Sequence, residues 1–283
     1  MSQNRNAKSI LLFVVLIITG VSCSKSDTTP VVPPCLVKKI STVITDPGSS
    51  QVTTIIDTYD YDSGNKLIKN TRNFSSTGSP STNEVIVYNY ANGAISSTTY
   101  GSGDNFTWTV QNGKAVKVSS VRGTATTAID ITYNGDGRLS NWHFGSVPNQ
   151  VEMGYTPVFD LNGNVSKDET FLKIISSGGN SSSSDSRTYS GYDSKNNPYS
   201  LLAQSMGLLY YFQPEGGYWI EGYGKNNPGT CVDITKDLVI GNSQTYNYAY
   251  TYEYNSKDYV TKSIRSATGQ STVTTTFEYT SCN

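Results

Sequence analysis

A single histidine, His143, stands in 283 residues. That excludes histidine pairs and Cys/His zinc sites. Any Ser-His-Asp device would rest on Trp142-His143-Phe144, and no Gly-x-Ser-x-Gly lies nearby. Charge is scarce too: 15% of residues, with 21 Lys and Arg against 22 Asp and Glu. No basic patch or like-charge run occurs, so the chain has no footprint for nucleic acid. No Gly-rich phosphate loop opens a helix. Asp160-Leu161-Asn162-Gly163-Asn164 has some features of a calcium loop, but its Gly is displaced and Phe171 stands where the bidentate Glu belongs. A hairpin turn is the better reading. The acids nearest aromatic stretches are Asp168-Glu169, Glu215 and Glu221, and sequence does not assemble any two of them into the cleft a glycosidase needs. The residues therefore offer no catalytic constellation, no metal-ligand set and no cofactor motif.

What is present begins at the N-terminus. Arg5 and Lys8 precede the apolar run from Ile10 to Ile18, which ends in Thr19-Gly20-Val21-Ser22-Cys23. The run is shorter than the ~20 apolar residues of a membrane span. Basic start, apolar middle and small residues mark an export signal. The Gly20-to-Cys23 segment resembles a bacterial lipobox, with Gly20 where Leu is usual, and such looser boxes resemble those of Bacteroidetes lipoproteins. The resemblance implies that Cys23 carries lipid and that the chain is anchored at the outer membrane. Which side of that membrane it faces stays open. Residues 24–34, Ser-Lys-Ser-Asp-Thr-Thr-Pro-Val-Val-Pro-Pro, read as an extended tether. The organisation is then 1–22 signal, 23–34 lipidated tether and 35–283 one folded domain.

With Cys23 lipidated, Cys35, Cys231 and Cys282 remain. Cys35 opens the folded part and Cys282 lies near its end. In an oxidising compartment a Cys35–Cys282 bridge would close a very long loop, stabilising by roughly 4–5 kcal/mol in the chain-entropy view. Cys231 would be the odd thiol.

The composition, with 21 Tyr and 25 Gly among many Ser, Thr and Asn, suits strands and polar turns rather than helices. One pattern recurs: an aromatic or apolar residue, then Asn or Asp, a Gly-containing turn and an aliphatic residue. It is seen in Tyr61-Asp62-Ser63-Gly64-Asn65-Lys66-Leu67, Tyr90-Ala91-Asn92-Gly93-Ala94-Ile95 and Tyr133-Asn134-Gly135-Asp136-Gly137-Arg138-Leu139. Copies fall every ~20–30 residues, a spacing typical of stacked units. Asn-Gly and Asp-Gly supply the positive φ of tight hairpins. Between turns the flanks alternate: Tyr246, Tyr248, Tyr250, Tyr252 and Tyr254 occupy every second position of one strand. The reading is all-β: an antiparallel hairpin-repeat meander, curved or closed into a soluble barrel-like sheet.

This pattern resembles the YD repeat of RHS-type proteins. The whole chain is similar to Bacteroidetes lipoproteins of unknown function with a porin-like fold. Carrying that resemblance are the lipobox, the Tyr-Asn-Gly-Asp-Gly-Arg-Leu turn, the paired Lys195-Asn196-Asn197-Pro198 and Lys225-Asn226-Asn227-Pro228, and Phe277-Glu278-Tyr279-Thr280-Ser281-Cys282. It implies a fold and no activity.

At most one short helix is expected, within Leu201 to Phe212, between the two Lys-Asn-Asn-Pro segments. Function favours such an interruption of regular repeats. Tyr211, Tyr218, Trp219 and Tyr223, with glycines leaving room around the rings, are the candidate ligand-binding residues. Aromatic faces beside Asn and acids suit sugar rings, although Trp108, Trp142 and Trp219 also read as core. The expected role is non-catalytic binding, of glycan or another envelope component. A structural or assembly module contacting envelope proteins comes second and a hydrolase third.

Overall fold

The computed structural model describes residues 35–122, 125–147, 151–176, 179–210, 224–280 and 282. Sixteen strands and one helix lie among them. The first eight strands are β1 (Leu36–Thr45), β2 (Val52–Tyr61), β3 (Leu67–Ser76), β4 (Ser79–Ala91), β5 (Ala94–Tyr100), β6 (Asn105–Gln111), β7 (Lys114–Arg122) and β8 (Ala125–Tyr133). Then come β9 (Leu139–Val147), β10 (Val151–Phe159), β11 (Val165–Ser176), β12 (Gly179–Ser190), helix α1 (Pro198–Ser205), β13 (Thr230–Asp237), β14 (Ser243–Tyr254), β15 (Val260–Ser266) and β16 (Thr272–Thr280).

Every strand pairs antiparallel with its chain neighbours, and β1 pairs with β16. The sheet is thus a closed up-and-down barrel, not a curved open one, and leaves no edge unpaired. Strand period two sorts the side chains. On β16, Val273, Thr275 and Phe277 are buried toward the lumen while Thr274, Thr276 and Glu278 point outward. Opposite them on β1, Ile40 faces inward beside Phe277, and Lys39 faces outward beside Glu278.

The recurrent segments all fall at one mouth of the barrel. Asn92-Gly93 and Asn112-Gly113, all at positive φ, make the tightest turns there. Longer turns share a second design. Asp62 Oδ1 accepts from the backbone N–H groups of Gly64 and Lys66, Asp160 Oδ1 from those of Asn162 and Asn164, and Asn255 Oδ1 from those of Lys257 and Tyr259. The Asn or Asp after each aromatic residue is a turn lock. Residues 160–164 are such a turn, as expected. The tyrosine itself ties adjacent strands: its hydroxyl donates to the carbonyl that opens the preceding strand. Tyr61 reaches Val37 at 2.6 Å, Tyr90 reaches Leu67 at 2.7 Å, Tyr133 reaches Ala115 at 2.8 Å and Tyr279 reaches Val260 at 2.6 Å.

Cys35 and Cys282 sit at this same mouth and are joined by a disulfide, with Cα atoms 4.3 Å apart. Cys231 is a free, buried thiol on the inner face of β13.

Candidate ligand chamber

Between β12 and β13 the two Lys-Asn-Asn-Pro segments meet at the tyrosine mouth and form a neck. Asn197 N–H donates to the Lys225 carbonyl at 3.3 Å, and Asn226 Nδ2 donates to the Lys195 carbonyl at 2.9 Å. Asp193 gathers the rest: it accepts from Asn227 Nδ2 at 3.1 Å, from Lys195 N–H at 2.9 Å and from the Tyr254 hydroxyl. The echo in the sequence is therefore a clamp.

Helix α1 starts inside that clamp. The Asn197 side chain caps it by accepting from Tyr199 N–H, Pro198 follows the cap, and Gly207 at φ 71 ends the helix region. The helix is shorter than the expected range and begins earlier, because the Asn-Pro pair is a helix start and Gly207 a stop. Leu201, Leu202 and Met206 are buried. Tyr199 packs edge-on against Phe277 of β16 at 6.0 Å. Beyond the helix, Tyr210 packs against Tyr133 of β8 and Phe159 of β10. Strands β16 and β8 lie on opposite sides of the ring, so residues 198–210 cross the mouth from wall to wall as a plug.

Below the plug the lumen has two unlike sides. The inward residues of β5 to β7 (Thr98, Tyr100, Phe106, Trp108, Ala115, Val118 and Ser120) are buried along the barrel. Trp108 Nε1 donates to Thr98 there at 3.1 Å. On the other side the inward residues over most of β12 to β15 are only half-buried. The five tyrosines of β14 share this face, and none is fully buried. Lumen-facing Phe74 on β3 is 40% exposed near the opposite mouth.

Charge enters the lumen at Asp57 on β2, paired with Arg72 on β3 at 2.9 Å, and again on the half-buried side. Arg187 Nε donates to Asp168 at 2.8 Å and the Tyr189 hydroxyl donates to it at 3.0 Å. Asp168 is 0% exposed, and burial pushes its carboxyl up to about 6, with Arg187 and the two hydrogen bonds opposing. Burial likewise raises Cys231 to about 12, so its thiol stays protonated. Asp233 faces Arg187 across the next strand pair, and its carboxyl is raised by burial. Arg265 on β15 lies over the Tyr248 ring at 5.0 Å. Tyr250 and Tyr252 stand with parallel rings 6.3 Å apart. Those two rings, Arg265, Ser263, Asn227 and Thr275 line a cleft of about 30 Å³ under the plug.

The fold now decides the comparison. The barrel is similar to porin-like proteins of Bacteroides. A crystal structure of one from Bacteroides uniformis ATCC 8492 aligns with a TM-score of 0.54 at 15% identity, over 86% of this chain and 98% of its own. Another, from Bacteroides vulgatus ATCC 8482, aligns with a TM-score of 0.55 at 14% identity, over 87% and 99%. No family model and no curated protein matches the sequence.

Within this porin-like barrel the expected site residues fare unevenly. Tyr211, Tyr218, Trp219 and Tyr223 lie outside the described residues, as do Cys23, Glu215 and Glu221. Asp168 and Glu169 point to opposite faces, Asp168 into the buried lumen and Glu169 outward beside Lys167, so they form no carboxylate pair. His143 is exposed on the outer wall next to Phe171, whose ring covers Gly154. Among the described residues no group of acids, cysteines and histidine is arranged to hold a metal ion. Sequence reasoning missed Arg187 and Arg265. For Arg265 a signal was available in the tyrosine alternation: β15 pairs with β14 and turns its own alternate residues toward the same face, whereas Arg187 lies on β12, two strands away.

Proposed function

We propose that this protein is an exported, lipid-tethered barrel that stands clear of the bilayer and binds a saccharide in its half-open lumen without transforming it. The observation that carries the reading is the sidedness of the wall. A membrane-spanning barrel turns an apolar band to lipid and polar residues to its lumen. Here the outer wall bears Lys39–Glu278 at 2.9 Å, Lys69–Asp60 at 3.0 Å, Lys173–Glu152 at 3.6 Å and Lys262–Glu253 at 2.9 Å, spread among Thr and Ser. Ion pairs in a hydrocarbon layer would each be costly. Most aromatic residues of the described strands face inward, Phe171 excepted, and the plug crosses one mouth, which supports a cup rather than a conduit. The tyrosine ladder offers flat apolar faces beside polar edges, the combination that suits sugar rings.

The lipobox-like segment from Gly20 to Cys23 supports the anchoring side of this reading, in which Cys23 carries the lipid and the outer membrane is the address. The test compares the native protein with Cys23→Ala. The variant should leave the membrane fraction and stay in solution without detergent, folded by near-ultraviolet circular dichroism. A barrel that still requires detergent overturns the reading. Binding is read from melting temperatures against a panel of oligosaccharides. A panel without any shift removes the saccharide half.

A further inference from the structure

Four side chains stand in one row across the half-buried side of the lumen. They are Asp168 on β11, Arg187 on β12, Asp233 on β13 and Tyr246 on β14, each directly paired with the next. Neighbours in such a row have Cβ atoms about 4.5–5.5 Å apart, so Arg187 is within reach of either acid. It turns to Asp168, donating from Nε at 2.8 Å, and its Nη2 reaches Thr170 at 3.5 Å. The other oxygen of Asp168 accepts from the Tyr189 hydroxyl, and Asp185 accepts from Thr170. Asp233 is the member left over: its Oδ1 is buried and has no hydrogen-bond partner. A buried acceptor without a donor is costly, and a bound hydroxyl would remove that cost.

We propose that Asp233 and Arg187 together receive two neighbouring hydroxyls of an uncharged sugar ring that rests beside Tyr246. The inference builds on the saccharide reading above and names the part of the sugar that is recognised. The charges select the class. Asp185, Arg187 and Arg265 lie close enough to act on Asp233, and Asp168 lies just beyond Arg187. An anionic ligand would meet three carboxyls, and a cationic one would meet two guanidiniums. A hydroxyl pair avoids both conflicts. An ionised carboxylate only accepts, a guanidinium only donates, and a hydroxyl does either. One hydroxyl donates to Asp233 Oδ1, and the next accepts from an Arg187 N–H that Asp168 does not use. Arg265 lies over the Tyr248 ring at 5.0 Å. Tyr246, tilted 42° from Tyr248 and directly opposite Asp233, is then the ring beside the polar pair. Water can fill the same place, but a sugar holds both hydroxyls in one covalent frame and so loses less freedom on binding.

The experiment is calorimetry on the full chain with neutral gluco-, galacto- and manno-trimers, the same trimers carrying carboxylates at C6, and the same trimers fully O-methylated. At least one neutral trimer should bind, and roughly tenfold or more tighter than its uronate and methylated counterparts, the weight of a hydrogen bond to a charged group. Asp233→Asn and Asp233→Ala should each weaken that trimer by roughly tenfold or more. Neither should lower the melting temperature of the ligand-free protein, because Oδ1 holds no partner in the fold. Thr276→Ser on the outer wall serves as the silent control. A melting temperature that falls by several degrees in both variants makes Asp233 a structural residue and overturns the inference. Unchanged trimer affinity in both variants also overturns it, as does a uronate or methylated trimer that binds as well as its neutral partner. Each of these outcomes leaves the saccharide reading standing. Failure of every trimer to bind removes the reading and the inference together.

Discussion

At the scale of single residues, two buried polar devices bear directly on stability. Asp168 has its carboxyl raised to about 6 in the folded barrel from an ordinary value of 3.8. A raised carboxyl pKa means the folded state holds its proton more tightly than the unfolded chain. Its stabilising share is therefore present below pH ~4 and is lost as pH rises through ~6. Relative to Asp168→Asn, the native protein should gain on the order of 2 kcal/mol between pH 7 and pH 4. Melting curves of both proteins across that range check it, and parallel curves refute it. The second device is the hydroxyl tie. Tyr133→Phe keeps the ring against Tyr210 but removes the bond to the Ala115 carbonyl, so about 1 kcal/mol should be lost in chemical denaturation.

At the scale of elements, the hairpin turns were legible because their chemistry is local. An Asn-Gly at positive φ or an Asp accepting from two backbone N–H groups needs no partner from elsewhere. The alternation of Tyr246 to Tyr254 showed which residues share a face. It did not show how wet that face is, since burial depends on strands β5 to β7 packing the far side of the lumen. The helix was readable as an interruption, and its start was present too in Asn197-Pro198, a local cap and first-turn pair that a helix placed from Leu201 passes over. Gly207 stops the helix region at φ 71, and an added Cβ there meets no atom within 4 Å. Gly207→Ala should therefore cost only backbone strain, about 1 kcal/mol. A much larger loss of melting stability would mean the plug is packed more tightly around that turn. The candidate site was poorly legible. Arg265 and Arg187 come from separate strands, and nothing in their own neighbourhoods marks them.

At the scale of the whole molecule, closure is the property that no single segment carries. Sixteen strands can enclose an aqueous channel, yet this barrel fills one side with Trp108, Phe106 and Tyr100, and crosses one mouth with α1. Sequence periodicity left open sheet and closed barrel equal, because the pairing of β1 with β16 joins residues more than two hundred positions apart. The Cys35–Cys282 bond spans 247 positions at that seam. Cys282→Ser, compared with the native protein under oxidising conditions, should lose stability by up to about 4–5 kcal/mol. Equal denaturation midpoints would mean that strand pairing alone holds the seam.

That seam also makes the barrel a ring without a privileged starting point. The bond between Cys35 and Cys282 does for β16 and β1 what Asn92-Gly93 does for β4 and β5: it holds two neighbouring strands at the tyrosine mouth. A circular permutant that links this pair by peptide and opens the chain at Gly78 instead would keep every strand neighbour it has now. Evolution by duplication or shuffling of hairpins faces the same freedom, since any even number of strands returns the chain to the rim from which it set out.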